Sequence, residues 1–433
     1  MLRFNENNEV IREDEYKAIL VGLQRNEDIS YSMEELKGLA EAANVEVLGQ
    51  MIQNLERPNT ATLIGKGKVE ELAEMAKNME ADTVIFNDEL TGMQLRNLED
   101  AVGVRVIDRT ILILDIFASR ATSKEGKLQV ELAQLAYRMP RLTGFGKSLS
   151  RLGGGIGTRG PGEKKLETDR RHIERRMYDI KSELAQLKNT RSVQRARREK
   201  SSIPVVALVG YTNSGKSALM NRILALTEKE EKTVFEKNML FATLDTTVRK
   251  IHLPDKREFL LSDTVGFISK LPHNLVEAFH STLEEVKFAN LLLEVVDYSD
   301  EHYMDHMEVT RQTLKELGAD EIPCIHVFNK CDIAKANGRE DVPAELPHIG
   351  KDCIYMAAGQ NIGLEELVQL ISNHIYQDYV ECTMLIPYTE GALVSYFNEN
   401  ATVKETEYEA EGTKITMSCL LKDLKKYKEY VIL

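Results

Sequence analysis

Residues 205–217 read Val-Val-Ala-Leu-Val-Gly-Tyr-Thr-Asn-Ser-Gly-Lys-Ser, an apolar run that leads into a glycine-rich loop. The loop fits the pattern Gly-x-x-x-x-Gly-Lys-Ser, and the residues after it favour a helix. In such a strand, loop and helix, backbone N–H groups surround a phosphate, the lysine reaches the β- and γ-phosphates and the serine hydroxyl ligates Mg²⁺. The stretch therefore predicts a P-loop. Its predicted phosphate-binding residues are Gly210, Tyr211, Thr212, Asn213, Ser214, Gly215, Lys216 and Ser217.

Two further patterns follow other apolar runs of the same region. Asp263 begins Asp-Thr-Val-Gly, so its carboxylate can hold a water on Mg²⁺ and the Gly266 N–H can contact the γ-phosphate. Asp332 ends Asn-Lys-Cys-Asp, and a carboxylate there can accept the N1–H and N2–H₂ donors of guanine, which adenine cannot match. In this order the patterns predict GTP or GDP as the ligand. The residues assigned from them are Asp263, Thr264, Val265, Gly266, Asn329, Lys330, Cys331 and Asp332.

Two less specific segments complete the predicted nucleotide site. Residues 357–359 (Ala-Ala-Gly) occupy the usual place of a last guanine-contacting loop, although an ordinary strand-to-helix turn fits them equally well. Residues 241–247 (Phe-Ala-Thr-Leu-Asp-Thr-Thr) should contain the switch threonine that completes the Mg²⁺ shell, with Thr243 and Thr247 both candidates. The residues assigned here are Phe241, Ala242, Thr243, Leu244, Asp245, Ala357, Ala358 and Gly359.

The residue that follows Gly266 bears on catalysis. Many GTPases place a glutamine there to orient the attacking water, whereas this chain has Phe267. The substitution predicts slow intrinsic hydrolysis that a partner, or a K⁺ ion near Asn213, would stimulate. A domain that senses GTP without hydrolysing it is the alternative. The candidate catalytic positions are Lys216, Gly266 and Phe267.

The chain is too long for one hydrophobic core, because 433 residues usually form several domains. Apolar runs alternate with helical patterns on both sides of the P-loop, which is typical of α/β folds. We predict an N-terminal α/β domain (1–120), a helical arm (121–203), a P-loop GTPase domain with a mostly parallel, doubly wound sheet (204–376) and a small C-terminal α+β module (377–433).

The basic residues are concentrated in one part of an acidic chain. The net charge is −13, yet residues 138–200 hold 18 Lys and Arg against 7 Asp and Glu, a local charge of +11. This asymmetry favours a polyanion partner at that segment. The plainer interpretation is a helix whose basic side chains only face solvent.

Two helical patterns flank a glycine-rich stretch, residues 141–162, inside this basic segment. The first pattern predicts a helix over 127–139 that Pro140 stops. The second carries apolar residues at heptad spacing, so we predict an antiparallel helix pair with the glycine-rich stretch at its tip.

Targeting and cysteine patterns favour a cytoplasmic protein, and we expect it to be a monomer. No apolar run reaches the ~18 residues that a membrane-spanning helix needs, and the N-terminus lacks the basic-then-apolar order of a signal peptide. The five cysteines form no Cys-x-x-Cys pair, which disfavours a disulfide framework or a zinc site.

Over nearly everything after its N-terminal tail, the chain resembles the HflX family, ribosome-associated GTPases of the translation-factor-related class. The most specific matches are residues 151–163 (Arg-Leu-Gly-Gly-Gly-Ile-Gly-Thr-Arg-Gly-Pro-Gly-Glu) and 263–267 (Asp-Thr-Val-Gly-Phe). Residues 64–71, 107–110, 114–118, 129–135, 166–171 and 241–245 also match. The chain departs from the family pattern at Thr246, a common proline, at Ala357, a common serine, and at the basic pair 164–165.

The resemblance implies binding to the large (50S) ribosomal subunit, with the tip of the arm at ribosomal RNA near the peptidyl-transferase centre. It also implies separation of stalled or idle 70S ribosomes under stress, and secondary ATP hydrolysis in some members. The resemblance also implies that residues 241–245 form the first switch and that Thr243 is the preferred Mg²⁺ ligand over Thr247. The residues that we assign to RNA contact are Arg141, Lys147, Arg151, Gly153, Gly154, Gly155 and Arg159.

Two other functions fit the same sequence. The protein could be a ribosome assembly or dormancy factor whose nucleotide state only sets its residence time, or an ATP-dependent RNA remodeller.

Overall fold

The computed structural model describes residues 3–4, 10–11, 16–142, 161–200, 203–227, 240–241, 247–253, 257–269, 286–377 and 379–432. Its contacts divide the chain into two compact units, the first built mainly on residues before 188 and the second on residues after it.

The first unit contains a four-stranded, fully parallel sheet with its helices in the connections. Six consecutive residues of its first long strand, 18–23, are buried, and this pattern is typical of parallel sheets that are covered on both faces. The strands are β3 (Tyr16–Gln24), β4 (Val45–Asn54), β5 (Thr83–Phe86) and β6 (Arg105–Asp108), in the order β4-β3-β5-β6. The helices are α1 (Ser30–Ala42), α2 (Lys66–Asn78), α3 (Gly92–Val102) and α4 (Arg109–Arg120). A short antiparallel pair, β1 (Arg3–Phe4) and β2 (Val10–Ile11), precedes them.

The predicted helical arm is present as two helices, α5 (Lys124–Leu142) and α6 (Pro161–Lys200). Arg176 pairs with Glu131 at 2.7 Å and Lys124 pairs with Glu183 at 3.1 Å, so the two helices run antiparallel. Ile180, one of the heptad positions, is completely buried. The prediction that Pro140 stops the first helix is wrong, because α5 continues through it to Leu142.

The second unit contains a seven-stranded sheet in the order β12-β13-β11-β10-β7-β9-β8, parallel except for β8 and β12. This confirms the predicted doubly wound GTPase sheet. The strands are β7 (Val205–Val209), β8 (Thr247–His252), β9 (Glu258–Asp263), β10 (Leu291–Asp297), β11 (Cys324–Asn329), β12 (His348–Ile349) and β13 (Cys353–Tyr355). The helices are α7 (Lys216–Thr227), α8 (Tyr303–Leu317), α9 (Cys331–Ala336) and α10 (Leu364–Ile375).

The second unit ends in a small antiparallel sheet with two helices, in the predicted order of elements. The turn before its last strand lies at Gly412, where a Cβ would stand 2.3 Å from the Ile386 carbonyl oxygen. Its elements are β14 (Tyr379–Ile386), α11 (Gly391–Asn400), β15 (Thr402–Tyr408), β16 (Thr413–Leu420) and α12 (Leu421–Lys426), with sheet order β14-β16-β15. The division into four domains stays a prediction. Among the described helices, none combines the length and the apolar character needed to cross a bilayer.

Candidate nucleotide site

The loop between β7 and α7 has the backbone geometry that its glycines predict. Gly210 and Gly215 have φ values of 136° and 97°, which side-chain-bearing residues rarely adopt. A Cβ at Gly210 would stand 2.3 Å from the Val295 carbonyl oxygen, and one at Gly215 would stand 2.5 Å from the Asn329 Nδ2. Both glycines are therefore required by close approach to β10 and β11, which brings the loop to the carboxyl ends of three strands.

Lys216 is buried at the start of α7, with 6% of its surface exposed. Its Nζ donates hydrogen bonds to the Gly210 and Tyr211 carbonyl oxygens, at 3.0 and 2.6 Å. Burial lowers the pKa of Lys216 to about 8, although the Asp263 carboxylate opposes the shift. A bound phosphate would supply the counter-charge that this buried ammonium lacks. Phosphate binding should therefore stabilise the protonated form of Lys216.

Nucleotide affinity should therefore depend on pH. Only the protonated amine attracts phosphate, and bound phosphate raises its pKa, so binding takes up a proton once the pH exceeds about 8. We expect the Kd for GDP to increase by up to about tenfold per pH unit above that value. Calorimetric titrations in two buffers of different ionisation enthalpy would measure the uptake. Lys216→Arg is the control, because a guanidinium does not titrate in this range. A Kd for the unmodified protein that is constant from about pH 7 to about pH 9 would contradict the expectation.

Ser217 and Asp263 form the predicted Mg²⁺-binding corner. The Ser217 hydroxyl donates to the Asp263 carboxylate at 2.7 Å, and Asp263 is completely buried at the end of β9. A hydroxyl that binds the ion directly and a carboxylate that holds one of its waters suit Mg²⁺, which binds few protein groups and keeps several waters. Thr243 lies outside the described residues. Thr247, the other candidate, begins β8 and directs its hydroxyl to the Met220 sulfur at 3.8 Å.

The segment after Asp263 lies against the P-loop. A Cβ at Gly266 would stand 2.7 Å from the Thr212 Cα and 3.0 Å from the Lys216 Nζ, so the Gly266 backbone is close to the predicted phosphate position. Phe267 joins the same loop through its backbone: its N–H donates to the Gly210 oxygen at 3.1 Å, and its carbonyl accepts from the Thr212 N–H at 2.7 Å. The Phe267 side chain is only 2% exposed. Its ring therefore serves as packing and does not orient water.

A contact that the sequence did not predict links the P-loop to this segment. The Tyr211 ring stacks on the buried His306 ring of α8, with centroids 3.9 Å apart. The Tyr211 hydroxyl accepts a hydrogen bond from the Ser269 N–H at 2.8 Å. Tyr211 thus acts as a positioning residue between the phosphate loop and the segment that should sense the γ-phosphate.

The predicted guanine site is held together by Asn329 and Lys330. Asn329 donates to the Ser214 carbonyl oxygen at 3.1 Å and accepts from the Ala358 N–H at 3.0 Å. Lys330 donates to the Asn213 carbonyl oxygen at 2.8 Å and pairs with Asp297, which the sequence did not single out, at 2.6 Å. These bonds bring the P-loop and both guanine loops together.

Asp332 and the last predicted guanine loop follow β11 and β13. Asp332 lies in the first turn of α9 and is half-buried. Among the described residues, no hydrogen bond or ion pair engages its carboxylate, which leaves both oxygens available as acceptors. Cys331 is completely buried beneath it, and Ala357 and Ala358 are buried while Gly359 is exposed.

Phe241, a predicted nucleotide-binding residue, makes a different contact. Phe241 is 1% exposed and packs edge-to-face on Phe117 of α4, with ring centroids 4.6 Å apart, and both belong to the first unit. Its ring is thus part of a hydrophobic contact, and nucleotide contact by Phe241 stays a prediction. The rest of the predicted first switch, residues 242–245, lies outside the described residues.

Arg141, predicted to contact RNA, is tied into the first unit. Its guanidinium donates to the Leu90 carbonyl oxygen at 2.8 Å and pairs with the buried Asp108 at 3.5 Å. It also stacks on the Tyr137 ring, 3.3 Å from the centroid. The geometry makes Arg141 an anchor at the base of the glycine-rich stretch, and an RNA contact by its side chain stays a prediction. The other predicted RNA-contacting residues, Lys147, Arg151, Gly153, Gly154, Gly155 and Arg159, lie outside the described residues.

Three family models match consecutive parts of the chain. Residues 30–118 match the N-terminal region of GTP-binding GTPases, and residues 120–198 match their middle region. Residues 205–330 match a family described as 50S ribosome-binding GTPase. The third match spans the P-loop and residues 263–266, and it ends at Lys330, inside the Asn-Lys-Cys-Asp pattern.

Two relatives are similar to this chain over more than nine-tenths of its length. The GTPase HflX of Caldanaerobacter subterraneus is 48% identical over 417 residues, which cover 96% of this chain and 94% of that protein. The GTPase HflX of Escherichia coli is 40% identical over 404 residues, 92% of each chain. Among solved structures, a GTP-binding protein from Sulfolobus solfataricus in complex with GDP is 25% identical, with a TM-score of 0.43 over 83% of this chain and 99% of that one.

Proposed function

The chain belongs to the HflX family of GTPases, and we propose that it binds the large ribosomal subunit and separates stalled or idle 70S ribosomes under stress, using GTP binding and stimulated hydrolysis. The observation that carries the proposal is the match of residues 205–330 to the 50S ribosome-binding GTPases, joined in one chain to a basic helical arm. We further propose that it acts as a monomer in the cytoplasm.

The proposed nucleotide chemistry gives each residue of the predicted site a role. The P-loop N–H groups and Lys216 would hold the β- and γ-phosphates, and Asp332 would accept the two guanine donors. Ser217, Thr243 and, through a water, Asp263 would hold Mg²⁺, which neutralises charge on the phosphates. The Gly266 N–H would then sense the γ-phosphate and set the position of the segment that Tyr211 contacts.

The side chain that should orient the attacking water must come from elsewhere. Since the Phe267 ring is buried, the chain is expected to hydrolyse GTP slowly until the ribosome supplies that group. A K⁺ ion beside Asn213, whose side chain is exposed in the P-loop, could supply part of the missing positive charge.

The charge of the arm is unevenly distributed, which supports RNA contact at its tip. Residues 138–166 hold 7 Lys and Arg against 1 Glu, whereas residues 167–187 hold five of each sign. In that middle part Arg170 pairs with Glu174 and Arg171 pairs with Glu167, both at 2.9 Å. Because those charges are already compensated, the basic excess that a phosphate backbone would attract lies at the glycine-rich end and at the other end of α6, where residues 188–200 hold 6 Lys and Arg against 1 Glu.

Sedimentation of 70S ribosomes tests the splitting activity. We expect the protein with GTP, or with a non-hydrolysable GTP analogue, to convert the 70S peak into subunits, because ordering of the switches and not hydrolysis drives binding. GDP should leave the peak intact. An unchanged 70S peak with both triphosphates would refute splitting. If the protein still co-sediments with 50S subunits in a GTP-dependent way, the assembly or dormancy function would replace it.

Neutralising the tip should weaken ribosome binding without affecting the nucleotide site. For Arg151→Ala with Arg159→Ala, we expect lower 50S affinity and a salt dependence whose log–log slope is less steep by roughly one to two, because each lost phosphate contact removes close to one released counterion. GDP affinity should not change. Arg170→Ala with Arg171→Ala is the matched control, since these arginines are exposed on α6 but paired with glutamates. Equal slopes for the tip variant and the unmodified protein would argue against RNA contact by these residues.

A further inference from the structure

A cluster of three metal-ligating side chains lies on the GTPase sheet, apart from the nucleotide site. Glu294 of β10 and His326 of β11 are direct register partners, and Cys324 lies two residues before His326 on the same strand. Strand residues two apart point to the same face, so all three side chains share one face of the sheet. One ligand atom from each lies within 4.8 Å of the other two.

The buried carboxylate of the cluster lacks a full set of partners. Glu294 is only 5% exposed, and its Oε2 contacts the His326 Nδ1 at 2.8 Å. Its Oε1 is buried and accepts no hydrogen bond from the described residues. Burying an ionised carboxylate costs free energy unless each of its oxygens is paired. A bound cation would provide the partner that the Glu294 Oε1 lacks among the described residues.

The ligand set selects a class of metal. From these residues we propose that Glu294, Cys324 and His326 bind one divalent transition-metal ion of the zinc class. A thiolate, an imidazole and a carboxylate together suit zinc and similar borderline ions, whereas Mg²⁺ prefers oxygen ligands alone. Three protein ligands leave a fourth position, which solvent can fill because the His326 side chain is 36% exposed.

Charge balance supports a dication. Thiolate ligation would release the proton of the Cys324 thiol, which lies beside the Glu294 carboxylate. One dication then balances the thiolate and the carboxylate, while His326 binds as the neutral imidazole.

The cluster was not visible in the sequence because its ligands come from two strands. Cys324-x-His326 alone is a weak pattern, and Glu294 lies 30 residues earlier. Only the parallel register of β10 and β11 brings them together. The prediction that the cysteines disfavour a zinc site rested on the absence of a Cys-x-x-Cys pair, and such sites do not require one.

Cobalt titration of the full chain tests the site. In the presence of excess Mg²⁺, we expect Co²⁺ to produce a thiolate-to-metal charge-transfer band in the near ultraviolet that saturates at one Co²⁺ per chain, and Zn²⁺ to displace it. Cys324→Ser should abolish the band, and Glu294→Gln should weaken binding by at least about tenfold, since it removes a charged ligand without changing its shape.

Cys353→Ser is the matched control, because Cys353 of β13 is the register partner of His326 but lies outside the cluster. It should keep the band. GDP binding by each variant reports whether the sheet is still folded. If Cys324→Ser loses GDP binding, Glu294→Gln and a His326→Gln variant decide the question. Absence of a saturable band in the unmodified protein, or a band that persists in Cys324→Ser, would overturn the proposal.

Discussion

Asp332→Asn should weaken GTP binding by about two orders of magnitude. The carboxylate can accept both the N1–H and the N2–H₂ groups of guanine, and the structure leaves its two oxygens available in the first turn of α9. An asparagine amide turns one acceptor into a donor that faces the N2–H₂ group. Losing a charge-assisted hydrogen bond and creating this mismatch costs about 3 kcal/mol, which corresponds to roughly a 100-fold higher Kd.

The same substitution should create a new preference. Xanthine carries a carbonyl where guanine carries its amino group, so the introduced amide can donate to it while still accepting from N1–H. We therefore expect Asp332→Asn to bind xanthosine triphosphate more tightly than GTP in competition titrations. Asp320→Asn, at an exposed carboxylate of the same unit, is the control and should bind GTP normally. Unchanged GTP affinity in Asp332→Asn would show that guanine is recognised elsewhere. Unchanged ATP hydrolysis alongside reduced GTP hydrolysis would identify a separate ATPase activity.

Lys216→Ala should produce the largest loss of hydrolysis. The lysine is the buried cation at the start of α7, and a Cβ at Gly266 would stand 3.0 Å from its Nζ. Removing a preorganised charge that stabilises the transition state typically lowers kcat by about 10²- to 10³-fold. We expect a decrease of that size in ribosome-stimulated GTP hydrolysis, measured as phosphate release with saturating 50S subunits.

The control for this prediction is Lys315→Ala, since Lys315 is an exposed lysine of α8 in the same unit. It should retain full activity. Hydrolysis by Lys216→Ala within a few-fold of the unmodified protein at saturating GTP would exclude Lys216 from transition-state stabilisation and leave it a role in binding only.

Local patterns were enough to predict the backbone geometry of the P-loop and the sheet around it. The P-loop glycines are required by backbone geometry, and Gly210 and Gly215 do adopt the positive φ values that their spacing implies. Asn329 and Asp263 end strands whose apolar runs are readable from the sequence. Residues at the carboxyl ends of neighbouring parallel strands necessarily meet at one edge, so their order in the chain predicts their proximity.

Contacts between distant segments could not be predicted. Arg141 was assigned to RNA because it is basic and borders a glycine-rich stretch, yet its guanidinium is fixed by Asp108 and Leu90. These contacts offer a reason why α5 continues past Pro140, since they hold the residue after the proline against the sheet. His306 likewise gave no signal, because stacking on Tyr211 depends on how α8 packs.

Asn329 has a consequence for how the nucleotide leaves. Both polar atoms of its amide are in use, one bonded to the P-loop at Ser214 and the other to the last guanine loop at Ala358. A displacement of the end of β11 would therefore weaken the contacts to the phosphates and to the base at the same time. The nucleotide should then dissociate in one slow step and not in stages. A partner that accelerates nucleotide exchange would need to displace only the end of β11.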